Sequence, residues 1–238
     1  MNLPHARFLL SLLAGLVPPA TSATEALPRA TPHAGSLGWA RLSTPGSQQG
    51  RHSQQDPRLT AFIAAQTALN LDRAWYSVAP ERLDALCRYP FVFAKDLLRI
   101  SNPEHLKNLA EYVRRGGFIC IDPCVNGLST AQKEALAQRY AGLFARMFPD
   151  AGVRELPDDH AIYRCYFPVT VDELYPQDMI RAGAIKPPRI GLRGIFLGDR
   201  LVAVVSITGL ECGWPETPDR IPACLKMITN IYVYAMTH

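Results

Sequence analysis

Much of what would name a function is missing from this chain. Its six cysteines, at 87, 120, 124, 165, 212 and 224, form no pair of Cys-x-x-Cys motifs, which excludes a structural zinc site of the usual kind. No Gly-x-Gly-x-x-Gly or Walker pattern surrounds the Gly116-Gly117 pair, so that pair is not a phosphate loop. Basic residues are scattered, the net charge is only +4, and no nucleic-acid partner is expected. Beyond the first residues no apolar run is long enough to span a bilayer, so no membrane span is expected in the mature chain. Internal repeats are absent too, which sets aside repeat architectures.

What is present begins with an export signal. Met1 to Arg7 carries one arginine and no acid, and Phe8 to Val17 is an apolar run of ten. Pro18-Pro19 ends the run, and Ala20-Thr21-Ser22-Ala23 offers small residues for cleavage after Ala23. Residues 1–23 are therefore expected as a signal peptide, and the protein as periplasmic or extracellular. In an oxidising compartment the cysteines are expected to pair, for example Cys124 with Cys165 and Cys212 with Cys224. Cys87 and Cys120 read as buried thiols. Residues 24–56, rich in Pro, Gly, Ser, Gln and Thr, read as a linker or poorly ordered arm. Within it, Leu37 to Leu42 could form an edge strand. Residues 57–238 are long enough for one α/β domain.

That domain is organised around Gly116 to Cys124. Phe118 to Ile121 is apolar without alternation, and too short for a helix. It reads as a strand buried on both faces, the kind found in parallel sheets. Helices are expected over Pro57–Asn70, Pro80–Cys87, Asn102–Arg115, Ser129–Phe148 and Asp219–Met236, from apolar spacing and N-terminal Pro, Ser or Asn. Brief strands are expected at Trp75–Val78 and Tyr89–Ala94. Ile190–Leu197 and Leu201–Thr208 flank Gly198-Asp199-Arg200 as a hairpin. The alternation predicts a three-layer α/β sandwich with a mainly parallel sheet and an antiparallel edge hairpin.

Several stretches together carry a family likeness. They are Tyr89-Pro90-Phe91, Gly116-Gly117-Phe118 with Asp122, Leu156-Pro157-x-Asp159-His160-x-Ile162-Tyr163, and Asn230-x-x-x-Tyr234-Ala235. In these the chain resembles a bacterial family of domains of unknown function. That family in turn looks like a relative of the class I glutamine-amidotransferase-like fold and its trehalose-utilisation-like members. Asp172-Glu173-Leu174-Tyr175 is similar to a motif of the latter group. The resemblance implies a flavodoxin-like sandwich and does not imply amidotransferase activity. The nucleophile elbow Gly-x-Cys-x-Gly is absent, Pro123 stands at the family's second Asp, and Ala161 stands where His-Pro is usual.

In open α/β sheets ligands sit beyond the carboxyl ends of the strands. Asp122 holds that position and can act as a base, orient a His or cap the loop. With His160 and Glu173 it could form an acid–base or metal cluster. Cys124 is the candidate nucleophile, with His160 as its only plausible base. Asp96, Asn126, Tyr175, Glu211 and Trp214 are candidate ligand contacts on the same edge, Trp214 as a sugar platform or as a packing lid. No metal site and no cofactor is assigned. Two readings stay open: a non-catalytic module binding a small molecule or protein partner, and a hydrolase or other enzyme on a sugar-like or amide substrate using Asp122, His160 and Glu173.

Overall fold

The computed structural model describes residues 32–44, 53–125, 127–176, 180–186, 189–214 and 221–238. The expected signal segment, parts of the expected arm (24–31 and 45–52) and Asn126 lie outside the described residues. In chain order the main elements are β1 (Leu37–Leu42), α1 (Asp56–Gln66), β2 (Leu71–Val78), α2 (Leu83–Leu86), β3 (Phe91–Ala94) and α3 (Pro103–Arg114). They are followed by β4 (Phe118–Ile121), α4 (Thr130–Met147), β5 (Ala151–Glu155), β6 (Arg193–Leu197), β7 (Arg200–Val205) and α5 (Ile221–Thr237).

The strands form one seven-stranded sheet in the order β2-β1-β3-β4-β7-β6-β5. β2, β1, β3, β4 and β7 run parallel, and β6 and β5 complete it antiparallel. This is the flavodoxin-like sandwich that the alternation of elements predicts, with the hairpin at β6 and β7. Every residue of β3 and β4 is buried, because helices cover both faces. One apolar layer packs α3 and α4 against the sheet through Leu109, Val113, Tyr140 and Phe144. The other packs α1 and α5 through Leu59, Ile63, Ile228 and Ile231.

Local chemistry sets the helix starts. Asn102 Oδ1 accepts from the Glu104 amide at 2.9 Å, and Pro103 opens α3. Ser129 and Gln132 make a reciprocal capping box at α4: Gln132 N donates to Ser129 Oγ at 3.3 Å, and Ser129 N donates to Gln132 Oε1 at 2.8 Å. Gly116, at φ 101°, turns the chain from α3 into β4.

Gly117 has a different role. A Cβ there would lie 2.3–2.5 Å from ring atoms of Tyr112, itself 1% exposed. The missing side chain is the space the ring occupies. Gly117→Ala is therefore expected to destabilise the fold by about 1–3 kcal/mol through overpacking. Gly142→Ala, in α4 with nothing within 4 Å of the new methyl, should stabilise by roughly 0.5–1 kcal/mol. Urea unfolding of both variants checks the contrast; equal effects would remove Tyr112 as the cause.

The structure corrects three expectations about elements. β1 is not at an edge: it lies between β2 and β3, with Trp39 and Ala40 fully buried. β5 is an additional strand, unmarked in the sequence because four of its five residues are exposed. β2 begins at Leu71, four residues before the expected Trp75, and the two edge strands of the sheet are β2 and β5.

The expected disulfides are not formed, and none of the six cysteines is in a disulfide. Cys165 sits against α5, its thiol 3.3 Å from the Asn230 carbonyl oxygen, while Cys124 is exposed beyond β4. Cys224 is buried within α5, and Cys212 follows β7. Cys120 is buried as expected; Cys87 is exposed, because it follows the short α2 at the surface.

Candidate functional site at the carboxyl edge of the sheet

The sheet's strand order reverses between β1 and β3, the place where this architecture opens a crevice beyond the strand ends. Here charged side chains pack into that place. Arg41 points out of β1 and is 3% exposed. Its Nη2 donates to Asp56 Oδ1 at 2.6 Å, and its Nε also donates to the same carboxylate. Asp56 opens α1 and accepts a third bond, from Trp39 Nε1 at 3.1 Å. Arg41 Nη2 also lies 2.6 Å from Glu211 Oε1, and Lys95 Nζ, just past β3, lies 2.7 Å from Glu211 Oε2. Two bases thus face two acids, and both acids are at most 3% exposed.

The electrostatics follow from this pairing. Burial alone would lower the Arg41 guanidinium, but Asp56 and Glu211 outweigh it and hold Arg41 above its ordinary range. Burial would raise Glu211; Arg41 and Lys95 outweigh that and hold its carboxyl below the usual range. The cluster ties together β1, α1, the end of β3 and the loop after β7.

Asp122, the first residue after β4, adds the fifth charged group and is 1% exposed. Its Oδ1 accepts from the Leu210 amide at 3.0 Å and its Oδ2 from the Glu211 amide at 2.7 Å. Burial pushes its carboxyl up to about 7, helped by the negative charge of Glu211 and opposed by the amide and Ser206 hydrogen bonds. Ser206 Oγ in turn lies 3.0 Å from Thr208 Oγ1.

Thr208 leads out of this buried cluster into an open cleft of about 500 Å³. The cleft lies between the loop after β4, the first turn of α4 and residues 175–176, 184–186 and 189–190, again at the carboxyl edge. Val125, Leu128, Tyr175, Ile185 and Ile190 provide apolar wall. Of its described lining residues, Lys133, Lys186 and Arg189 are basic and none is acidic. The volume suits a small molecule.

A model of one family matches residues 39–236 of the chain. The chain belongs to that family, described as Domain of unknown function (DUF4159). Among curated proteins, none matches. Within this DUF4159 domain, Asn230 and Tyr163 have evident structural work. Asn230 on α5 clamps residue 167 twice, Nδ2 donating to the Phe167 carbonyl and Oδ1 accepting from its amide, both at 2.8 Å. Tyr163 Oη accepts from the Leu192 amide at 2.8 Å.

The predicted site residues separate into two groups. Asp122, Glu211 and Trp214 come together with the unpredicted Arg41, Asp56 and Lys95. Trp214 is fully buried, edge-on to Trp39 with centroids 6.0 Å apart, so it packs and offers no sugar platform. Tyr175 lines the cleft, its hydroxyl donating to the Ile190 carbonyl at 2.8 Å. Asp96 is drawn aside by Arg99.

Asp122, His160 and Glu173 do not converge. His160 caps its own short turn, Nδ1 accepting from the Ile162 amide at 3.2 Å. Its ring lies 5.7 Å from that of Tyr234, which meets Phe118, the first residue of β4, at 6.5 Å. It therefore sits on the α5 face toward the amino ends of the strands, whereas Asp122 follows the last residue of β4. Burial lowers its pKa. Glu173 closes a local turn, accepting from the Thr170 amide at 2.7 Å and hydroxyl at 2.8 Å. Cys124 consequently does not have His160 as its base. Among the described residues, no group of three or more His, Cys, Asp or Glu side chains is arranged to hold a metal ion.

Tryptophan and arginine inside the β1 run, Trp39-Ala40-Arg41, were the available signal for the missed cluster: an arginine in an otherwise apolar strand needs a buried acid. No helix of the described residues is long and apolar enough to cross a membrane.

Proposed function

We propose that this DUF4159 domain is an exported, non-catalytic module that binds a small molecule in the cleft beyond β4 and β7. The observation that carries the reading is the cleft itself, about 500 Å³ at the edge where this sheet class holds ligands. Next to it Arg41 and Lys95 are matched to Asp56 and Glu211, which suits a framework better than a reaction centre. The separation of His160 and Glu173 from Asp122 leaves these three without a shared site, which supports a binding role. Export rests on the sequence of residues 1–23. Kinship with the amidotransferase-like superfamily is supported by the parallel sheet and by the position of Asp122 after β4; the missing elbow speaks against a shared reaction.

A thermal-shift panel of neutral sugars, amides, carboxylates and phosphate esters tests the reading. At least one compound should raise the melting temperature of the wild type, since a ligand at 100 times its Kd stabilises by about 2.7 kcal/mol. Ala184→Trp places a bulky ring on the exposed cleft wall and should abolish that shift. The compound should be recovered unchanged. A shift that survives Ala184→Trp would move the site elsewhere.

One observation favours a second reading. Asp122 hydrogen-bonds Ser206, and the Ser206 hydroxyl lies beside that of Thr208 in the cleft wall, so a carboxyl with a pKa near neutrality is linked to bound ligand through two hydroxyls. Turnover of a panel compound that is lost in Asp122→Asn would establish this enzyme reading instead.

A further inference from the structure

Resting on the reading of the cleft as the binding site, we propose that its ligand is a small phosphate ester, with the dianion held by Lys133, Lys186 and Arg189. Three observations converge on that chemistry. The first is sign: three basic residues and no acidic one line the cleft among the described residues. A doubly negative group answers that excess.

The second is Arg189. Its side chain is only 13% exposed. One end is anchored, Nη1 pairing with Asp172, while its Nε is buried without a hydrogen-bond partner among the described residues. Arg189 itself lines the cleft, so its guanidinium charge acts on an oxyanion bound there. Anchoring by Asp172 also fixes the planar fork, so less side-chain freedom is lost on binding.

The third is the floor of the cleft. Thr130 and Gln132 belong to the first turn of α4, an 18-residue helix whose amide ends and dipole favour negative charge. Ser129 already satisfies the Gln132 amide, so this turn assists the cations and does not replace them. Lys133, from the same turn, holds its ammonium 5.6 Å from the Tyr175 ring centroid at the cleft wall. The apolar part of the lining, Val125, Leu128 and Ile185, has no use for a free inorganic ion. It would cover the organic part of an ester.

Isothermal titration of the full mature chain with phenyl phosphate and with inorganic phosphate, at fixed chloride and ionic strength, tests the assignment. Phenyl phosphate should bind with at least about tenfold higher affinity than inorganic phosphate, the apolar wall contributing the difference of some 1.4 kcal/mol. Arg189→Gln and Lys133→Gln should each weaken phenyl phosphate by about tenfold or more without lowering the melting temperature of the ligand-free protein. Equal affinity for the two probes would overturn the ester in favour of a free oxyanion.

Failure of this assignment is distinguishable from failure of the cleft reading. No phosphate binding, together with a neutral compound whose thermal shift is lost in Ala184→Trp but retained in Arg189→Gln, overturns the phosphate ester and keeps the cleft. Phosphate binding unaffected by Ala184→Trp and by both charge variants overturns both.

Discussion

Arg41→Met is expected to destabilise the protein by about 3–5 kcal/mol. The guanidinium is 3% exposed and serves two carboxylates, Asp56 and Glu211, which are at most 3% exposed themselves. Removing it leaves Asp56 with the Trp39 indole N–H, and leaves Glu211 with Lys95. The cost comes from stranding buried negative charge; the pair's net worth over an apolar replacement is smaller. Arg41→Lys should fall between wild type and Arg41→Met, because a single ammonium cannot present the fork that reaches both acids. Arg82→Met, which breaks an exposed pair with Asp84, should be indistinguishable from wild type in the same urea titration. If Arg41→Met behaved like Arg82→Met, the cluster would not be holding the edge together.

The second large effect is the contribution of Asp122 to the dependence of stability on pH. Its folded carboxyl is raised to about 7, from an ordinary value of 3.8. Between those pH values the folded state therefore holds a proton that the unfolded state has released. The stabilisation is fully present below about pH 4 and is lost as pH rises to about 7. At 1.36 kcal/mol per pH unit, the span amounts to about 4 kcal/mol. Asp122→Asn should flatten the profile over this window. The slope is the readout, since Asn also presents an N–H group to an amide that donates to Asp122 in the wild type. Urea unfolding at pH 5, 6, 7 and 8 decides it, and parallel profiles for the two proteins would remove Asp122 as the source.

Both effects arise at an edge that was half legible in the sequence. Phe118 to Ile121 could be read because a strand covered on both faces must be continuously apolar, and Asp122 could be placed because it follows that strand. Glu211 follows the equally apolar β7 and was legible for the same reason. Arg41 and Asp56 were not, since their pairing joins a strand to a helix start 15 residues away, across a segment that reads as loop. His160 shows the opposite error. Its acidic neighbours suggested the chemical edge, but the chain after β5 folds back over the sheet and carries it to α5, where it caps a turn beside Tyr234. Sequence places a residue after a strand; it does not say which way the following loop crosses the sheet. β5 was invisible because an exposed strand with Gly152, Arg154 and Glu155 lacks the apolar alternation by which half-buried strands are recognised.

That same composition has a use. As the last strand of the sheet, β5 pairs with β6 on one side and has no strand beyond it among the described residues. Such a margin is a template on which a second chain could continue the sheet. Here the template is five residues long, and its one exposed large apolar side chain, Val153, is followed by Arg154 over the Phe196 ring and Glu155 paired with Arg193. An incoming strand would have to lie against fixed charges of both signs over so short a run. The margin that hid β5 from pattern reading is thus also what guards the sheet against growth from copy to copy.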